Sequence, residues 1–197
     1  MSRKKPVQKI LCLIGRQTLM AIGFLLFAVQ SYAVDQGWPE TVTVGYQKSG
    51  SLIILKATGA LEKHLKPHNT RVVWAEFQFG PPLLEAVNAG KVDIGITGET
   101  PPVFAQAASG SSIVYVAHEP ASPKGQGLLV NKDSPIKQVG ELRGKSVAVA
   151  KGSSSHYFLI QALAKAGLTL DDITPAYLAP ADAKAALARG DVSAWAI

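Results

Sequence analysis

Residues 90–106 read GKVDIGITGETPPVFAQ, and the fold turns on this stretch. Val92, Ile94 and Ile96 alternate with Asp93 and Gly95, the two-residue period of a strand, and the run breaks at Thr97-Gly98-Glu99-Thr100-Pro101-Pro102. Thr100 before Pro101 predicts an N-cap with proline at the first helical position, where the missing N–H costs nothing. A strand that feeds a loop and then a helix sets free N–H groups and the positive end of the helix dipole beyond the carboxyl edge of a sheet, where open α/β sheets bind small ligands. The stretch predicts half of an anion site; as a bare pattern it also fits an ordinary strand-turn-helix junction.

The flanking chain repeats that alternation. Thr41–Gln47 predicts a strand turned by Lys48-Ser49-Gly50-Ser51 into a helix with Ile54, Ala57, Leu61 and Leu65 on one face, ending at Pro67. Arg71–Phe77 predicts the next strand, Gly80-Pro81-Pro82 the start of a helix over 83–89 that Gly90 closes, and Ile113–Ala117 a strand after the organising helix. Such alternation predicts an α/β fold with a mostly parallel sheet covered on both faces. Prolines 120 and 123 in HEPASP interrupt it, a crossover between a lobe over 34–119 and a second lobe over 120–197. There the pattern restarts: strand 127–130, a short helix near 139–142, strand 146–150, a helix opened by Lys151-Gly152-Ser153-Ser154-Ser155-His156 and closed by Gly167, strand 175–179, helix 181–189 and strand 191–197. Ala86, Gly90 and Val92 recur one hundred residues later as Ala186, Gly190 and Val192, one helix-Gly-strand unit per lobe. In the first lobe the unit runs on into the Thr97–Pro102 loop; the second stops at Ile197, so the second lobe is expected to be incomplete.

Residues 1–33 are set apart. A basic start (Arg3, Lys4, Lys5, Lys9), an apolar run over 19–29 too short to span a bilayer, and Ser31-Tyr32-Ala33 predict a secretory signal peptide. Five of the twenty basic residues lie there and none of the fourteen acidic ones, so fifteen basic residues face fourteen acidic ones in the remainder. A net charge of +1 offers no basic face for nucleic acid. The single cysteine, Cys12, also lies in the leader; a remainder of 164 residues can bury a core without disulfides, and the periplasm fits.

Three turns after strands start helices with backbone N–H groups and hydroxyls suited to an oxyanion: Gln47–Ser51, Thr97–Thr100 and Gly152–Ser155. Two come from one lobe and one from the other, which predicts a cleft for a small anion. Lys48 and Lys151 stand beside these turns, as attractors of the anion or as ordinary solvated lysines. Glu99 and Glu119 either receive an amino or hydroxyl group of the ligand or hold N–H groups of the crossover. His64 and His68 have metal-ligand spacing, but Pro67 ends the helix that would align them, so no metal site is predicted. His156 follows three serines without a GxSxG elbow; a cleft-lining side chain is expected, not a catalytic relay. Tyr46, Phe77, Phe79 and Trp195 could meet an apolar ligand tail or pack in the core.

VGYQKSG (44–50), ATGALEKHL (57–65), TGETPPVFAQAA (97–108), VYVAHEPASP (114–123), KGSSSH (151–156) and YLAPADAKAAL (177–187) together resemble the periplasmic aliphatic sulfonate-binding proteins of ABC importers, within the sulfonate, taurine and nitrate group. The resemblance implies a type II periplasmic binding fold whose two lobes close on a small organic anion, an alkanesulfonate. It implies a monomer that delivers the ligand to an inner-membrane permease and its ATPase, without cofactor or catalysis. It also implies that Gln47, Ser49, Gly98, Glu99, Thr100, Gly152, Ser153, Ser154 and His156 line the cleft. Proteins of this kind continue beyond the position of Ile197, so the second hinge crossing is expected to be missing. Binding of taurine, nitrate or another small anion is the alternative. An enzyme on a related fold, such as a thiamine-precursor synthase, would need a covalent or cofactor-binding residue that does not stand out. A transcription regulator's effector domain would need a helix-turn-helix where the leader stands.

Overall fold

The computed structural model describes residues 37–108, 110–122 and 124–197; the predicted signal peptide, 1–33, lies outside them. Strand β1 (Thr41–Tyr46) carries β-branched residues at its first four positions and pairs in parallel with β2 (Arg71–Glu76) from Thr41↔Arg71 to Tyr46↔Glu76. On its other side β1 pairs in parallel with β3 (Ile94–Gly95), giving a three-stranded sheet in the order β2-β1-β3. Helices α1 (Ser51–Thr58) and α2 (Ala60–Leu65) lead from β1 to β2, α3 (Gly80–Asn88) leads from β2 to β3, and α4 (Thr100–Ala107) follows β3. Val44, Tyr46, Leu65, Leu83, Leu84 and Val92 are buried in this part of the molecule.

The second sheet has the order β4-β7-β5-β6, from β4 (Leu128–Leu129), β5 (Ser146–Val149), β6 (Thr174–Tyr177) and β7 (Ala194–Ala196). All its pairings are parallel except β4 with β7. Helix α5 (Ser154–Lys165) packs Leu159 and Leu163 against Val147, Val149, Ala194 and Ala196. On the other face α6 (Pro180–Arg189) sets Ala183, Ala186 and Leu187 against Ala148 and Val192. This sheet is covered on both sides, and each large aliphatic side chain so buried contributes about 1.5–3 kcal/mol.

The two sheets carry the same three-strand motif, β2-β1-β3 and β6-β5-β7. The hydrogen bonds repeat as well. Gly90 N donates to Val87 O and Lys91 N to Ala86 O; Gly190 N donates to Leu187 O and Asp191 N to Ala186 O. Both glycines hold left-handed φ, +65° and +82°, which a side chain disfavours. Asp93 N and Ser193 N then dock on the central strands, at Thr43 O and Ser146 O.

Several expectations are corrected. The predicted helix from residue 51 to Pro67 breaks at Gly59, whose φ of +60° ends α1, and Ile54 is 67% exposed instead of facing the core. The organising strand shortens to Ile94–Gly95, because Asp93 Oδ2 takes the Thr43 N–H that a longer ladder would use. Ile113–Ala117 forms no strand: nothing pairs with it among the described residues, and Val114 and Val116 are 75% and 73% exposed. β-Branched composition suits a pleated surface but supplies no partner. The first sheet is not covered on both faces either, since Ile94 is 44% exposed. Among the described residues no helix is long and apolar enough to cross a membrane.

Candidate functional site

The loops at the carboxyl ends of β3 and β5 meet. Thr100 N, at the start of α4, donates to Ser154 Oγ at 3.4 Å, and Ser154 is the first residue of α5. Gly98 makes the approach feasible: a Cβ there would lie 2.1 Å from Ser154 Oγ. Two further contacts join the same two parts of the chain. Ala181 N donates to Gln78 Oε1 at 3.4 Å, and a Cβ on Gly152 would touch Pro81 at 3.5 Å.

Thr100 is not the N-cap. It is the first helical residue, and Glu99 before it has helical backbone angles (φ −69°, ψ −28°) and makes no side-chain cap. With no extended residue at the helix entrance, no local side chain can fold back onto the free N–H groups. Ser154 supplies the oxygen instead, from the other sheet's helix. Thr100 Oγ1 only approaches Glu99 Oε1, at 3.5 Å.

Helix α5 caps itself. Ser153, buried, accepts from His156 N through Oγ at 3.2 Å and donates to Ala150 O at 2.7 Å. His156 adds a second contact: its Nδ1 accepts from Gly152 N at 3.2 Å, one residue before the N-cap, so the imidazole holds the loop that enters the helix. The imidazole lies edge-to-face with Tyr177, ring centroids 5.5 Å apart, and Lys151 Nζ stands 5.3 Å from the Tyr177 centroid. Burial first, and Lys151 second, push the His156 imidazole below its ordinary pKa. Its Nε2 is buried without a hydrogen-bond partner, as is Thr97 Oγ1 on the facing loop.

The remaining candidates are spread along the edge. Gln47 Nε2 donates to Ile96 O at 3.1 Å, tying the first loop to the end of β3. Ser49 and Glu99 are exposed. The N-terminus of α1 is already met by a carboxylate, since Ser51 N donates to Glu119 Oε1 at 3.1 Å, and hydrogen bonds from Ser51 hold the Glu119 carboxyl below its usual range. Glu119 thus holds an N–H of the first loop, close to the second of its two expected roles. Lys48 pairs with Glu76 at 3.3 Å. Tyr46, with Lys48, Ile53, Lys56, Ala57 and Glu76, lines an open cavity of about 460 Å³ that includes none of the nine candidates. Gln78, Pro81 and Tyr177 are participants that sequence reasoning missed. Gln78–Pro82 is a fourth strand-Gly-helix turn, passed over for want of hydroxyls, and Tyr177 opens the quoted YLAPADAKAAL.

Among the described residues no cluster of three or more His, Cys, Asp or Glu could hold a metal ion. Backbone N–H groups at two helix starts, serine hydroxyls and a buried imidazole nitrogen make an arrangement able to hold an oxyanion by hydrogen bonds.

Comparison with known proteins agrees in fold. A protein of Escherichia coli K12 named for binding aliphatic sulfonates is 48% identical over 174 residues, covering 87% of this chain and 54% of that one. One of the same name from Bacillus subtilis 168 is 37% identical over 186 residues, covering 93% and 56%. The structure of the alkanesulfonate-binding protein from Xanthomonas axonopodis pv. citri, bound to MOPS, superposes with a TM-score of 0.75 at 46% identity, covering 81% of this chain and 54% of that one. The fold is that of the periplasmic binding proteins, and the chain spans about half the length of the relatives it matches. Residues 81–197, more than half of the chain, match the family described as NMT1/THI5 like, so the chain belongs to that family.

Proposed function

We propose that this protein is the solute-binding component of an ABC importer for aliphatic sulfonates, exported to the periplasm by residues 1–33 and working as a monomer. Its lobes, residues 34–119 and 120–197, take the sulfonate between the loops at Gln47 and Ser49, at Gly98-Glu99-Thr100, and at Gly152, Ser153, Ser154 and His156. A permease and its ATPase receive the ligand. No bond is made or broken, and binding is the whole chemistry.

The observation that carries this reading is the meeting of Thr100 N with Ser154 Oγ. At 3.4 Å the hydrogen bond is long, so a sulfonate oxygen, charged and a better acceptor, can replace the hydroxyl at little cost. Hydrogen bonds to a charged group contribute about 1.5–3 kcal/mol each. The sulfonate-binding relatives, 48% and 37% identical, support the ligand class.

A thermal-shift panel on the exported protein tests it. At a hundredfold excess over Kd a ligand stabilises by about 2.7 kcal/mol, enough to read as a shift. Short alkanesulfonates should shift the transition more than taurine, sulfate or nitrate, and Gly98→Ala should reduce the effect at least about tenfold in affinity. A larger shift with nitrate or sulfate would overturn the sulfonate class, and turnover of the ligand would favour an enzyme.

A further inference from the structure

The polar groups around His156 set its charge without reference to any ligand. Nδ1 already accepts the Gly152 N–H, so a proton on Nδ1 would point at another donor and break that bond. The ring stands at the start of α5, where the helix dipole disfavours a cation, and Lys151 lies nearby. The Tyr177 ring packs against the imidazole with the two planes near perpendicular, and Glu99 lies on the loop that meets Ser154. With Nδ1 an acceptor, the single imidazole proton sits on Nε2, which is buried and unpartnered. A buried donor without an acceptor is costly, a standing demand for an oxygen.

We propose that His156 serves the site as a neutral hydrogen-bond donor through Nε2–H, so that the anion is taken up without an accompanying proton. This rests on the sulfonate-binding reading. A sulfonate is the anion of a strong acid and stays ionised throughout the working range, so a neutral donor lets the affinity hold steady where an imidazolium would make it follow pH.

Two measurements test it. In ligand-free protein, ¹⁵N NMR of His156 at neutral pH should show the Nε2–H tautomer; an Nδ1–H tautomer or an imidazolium would overturn the proposal whether or not any sulfonate binds. Calorimetric titration with butanesulfonate should give the same heat in phosphate and in Tris, with affinity changing less than about twofold between about pH 8 and pH 7. Proton uptake, with affinity rising about tenfold per unit of acidification, would overturn it. His156→Gln keeps an N–H donor and should retain most of the affinity, while His156→Leu should lose about tenfold or more; equal binding by both variants would remove the donor role. Absence of butanesulfonate binding by the unaltered protein would count against the sulfonate reading, and the NMR result would still decide the tautomer.

Discussion

Strands β3 and β7 are reached through the same local code and end in different surroundings. Each follows a helix closed by a left-handed glycine, Gly90 or Gly190, with matching hydrogen bonds onto Ala86 or Ala186, and each lies parallel to its sheet's central strand. β7 has a second neighbour, β4, and its Ala194 and Ala196 are fully buried. Among the described residues β3 pairs with β1 alone, and Ile94 is nearly half exposed. Local sequence therefore makes the turn and the strand start, while burial depends on what arrives on the far edge.

The largest test of this contrast removes buried volume. Leu159→Ala, under the second sheet, should cost about 2–5 kcal/mol in denaturant unfolding, while Ile94→Ala should cost within about 0.5–1. Similar losses at both sites would mean that β3 is covered in solution. A smaller effect addresses what the two units share. Gly90→Ala and Gly190→Ala each put a side chain in the left-handed region at about 1–2 kcal/mol, and the two costs should match within about 0.5. A large inequality would show that the glycine turn takes its stability from the sheet beyond it.

The smallest effect is the response to acid, confined to the start of α5. The His156 pKa is lowered by the fold, so the unfolded chain binds the proton more readily. Stability is then full above the unfolded histidine value, about 6.5, and falls as pH drops from there toward the lowered folded value. His156→Gln should flatten that part of the stability curve; an unchanged slope would assign it to other groups.

Much of the second sheet and its helices was legible because their signals agree. Ser153 caps α5, and Gly167 and Gly190 follow helices with left-handed φ. The part of the chain around the first sheet misled where a strand signal, Ile113–Ala117, had no partner among the described residues, and where Gly59 was read as part of one helix. At the candidate site, the turns at 97–100 and 152–156 were visible as Gly- and Ser-rich helix starts. The Thr100 N–H to Ser154 contact was not, since it joins residues 54 apart that only folding brings together. Tyr177 beside His156 escaped for the same reason.

The pairing of β4 with β7 has a kinetic side. Leu128 sits opposite Ala196, so the second sheet joins its earliest strand to its latest, across more than twice the chain that separates Thr41 from Arg71 in the first sheet. Closing that longer loop costs roughly 0.7 kcal/mol more in chain entropy. β4 has no other strand neighbour among the described residues, so its ladder can form only once residues 194–196 have been made. Pairing at this edge therefore waits on the later part of the chain, a non-local contact of the kind that slows folding.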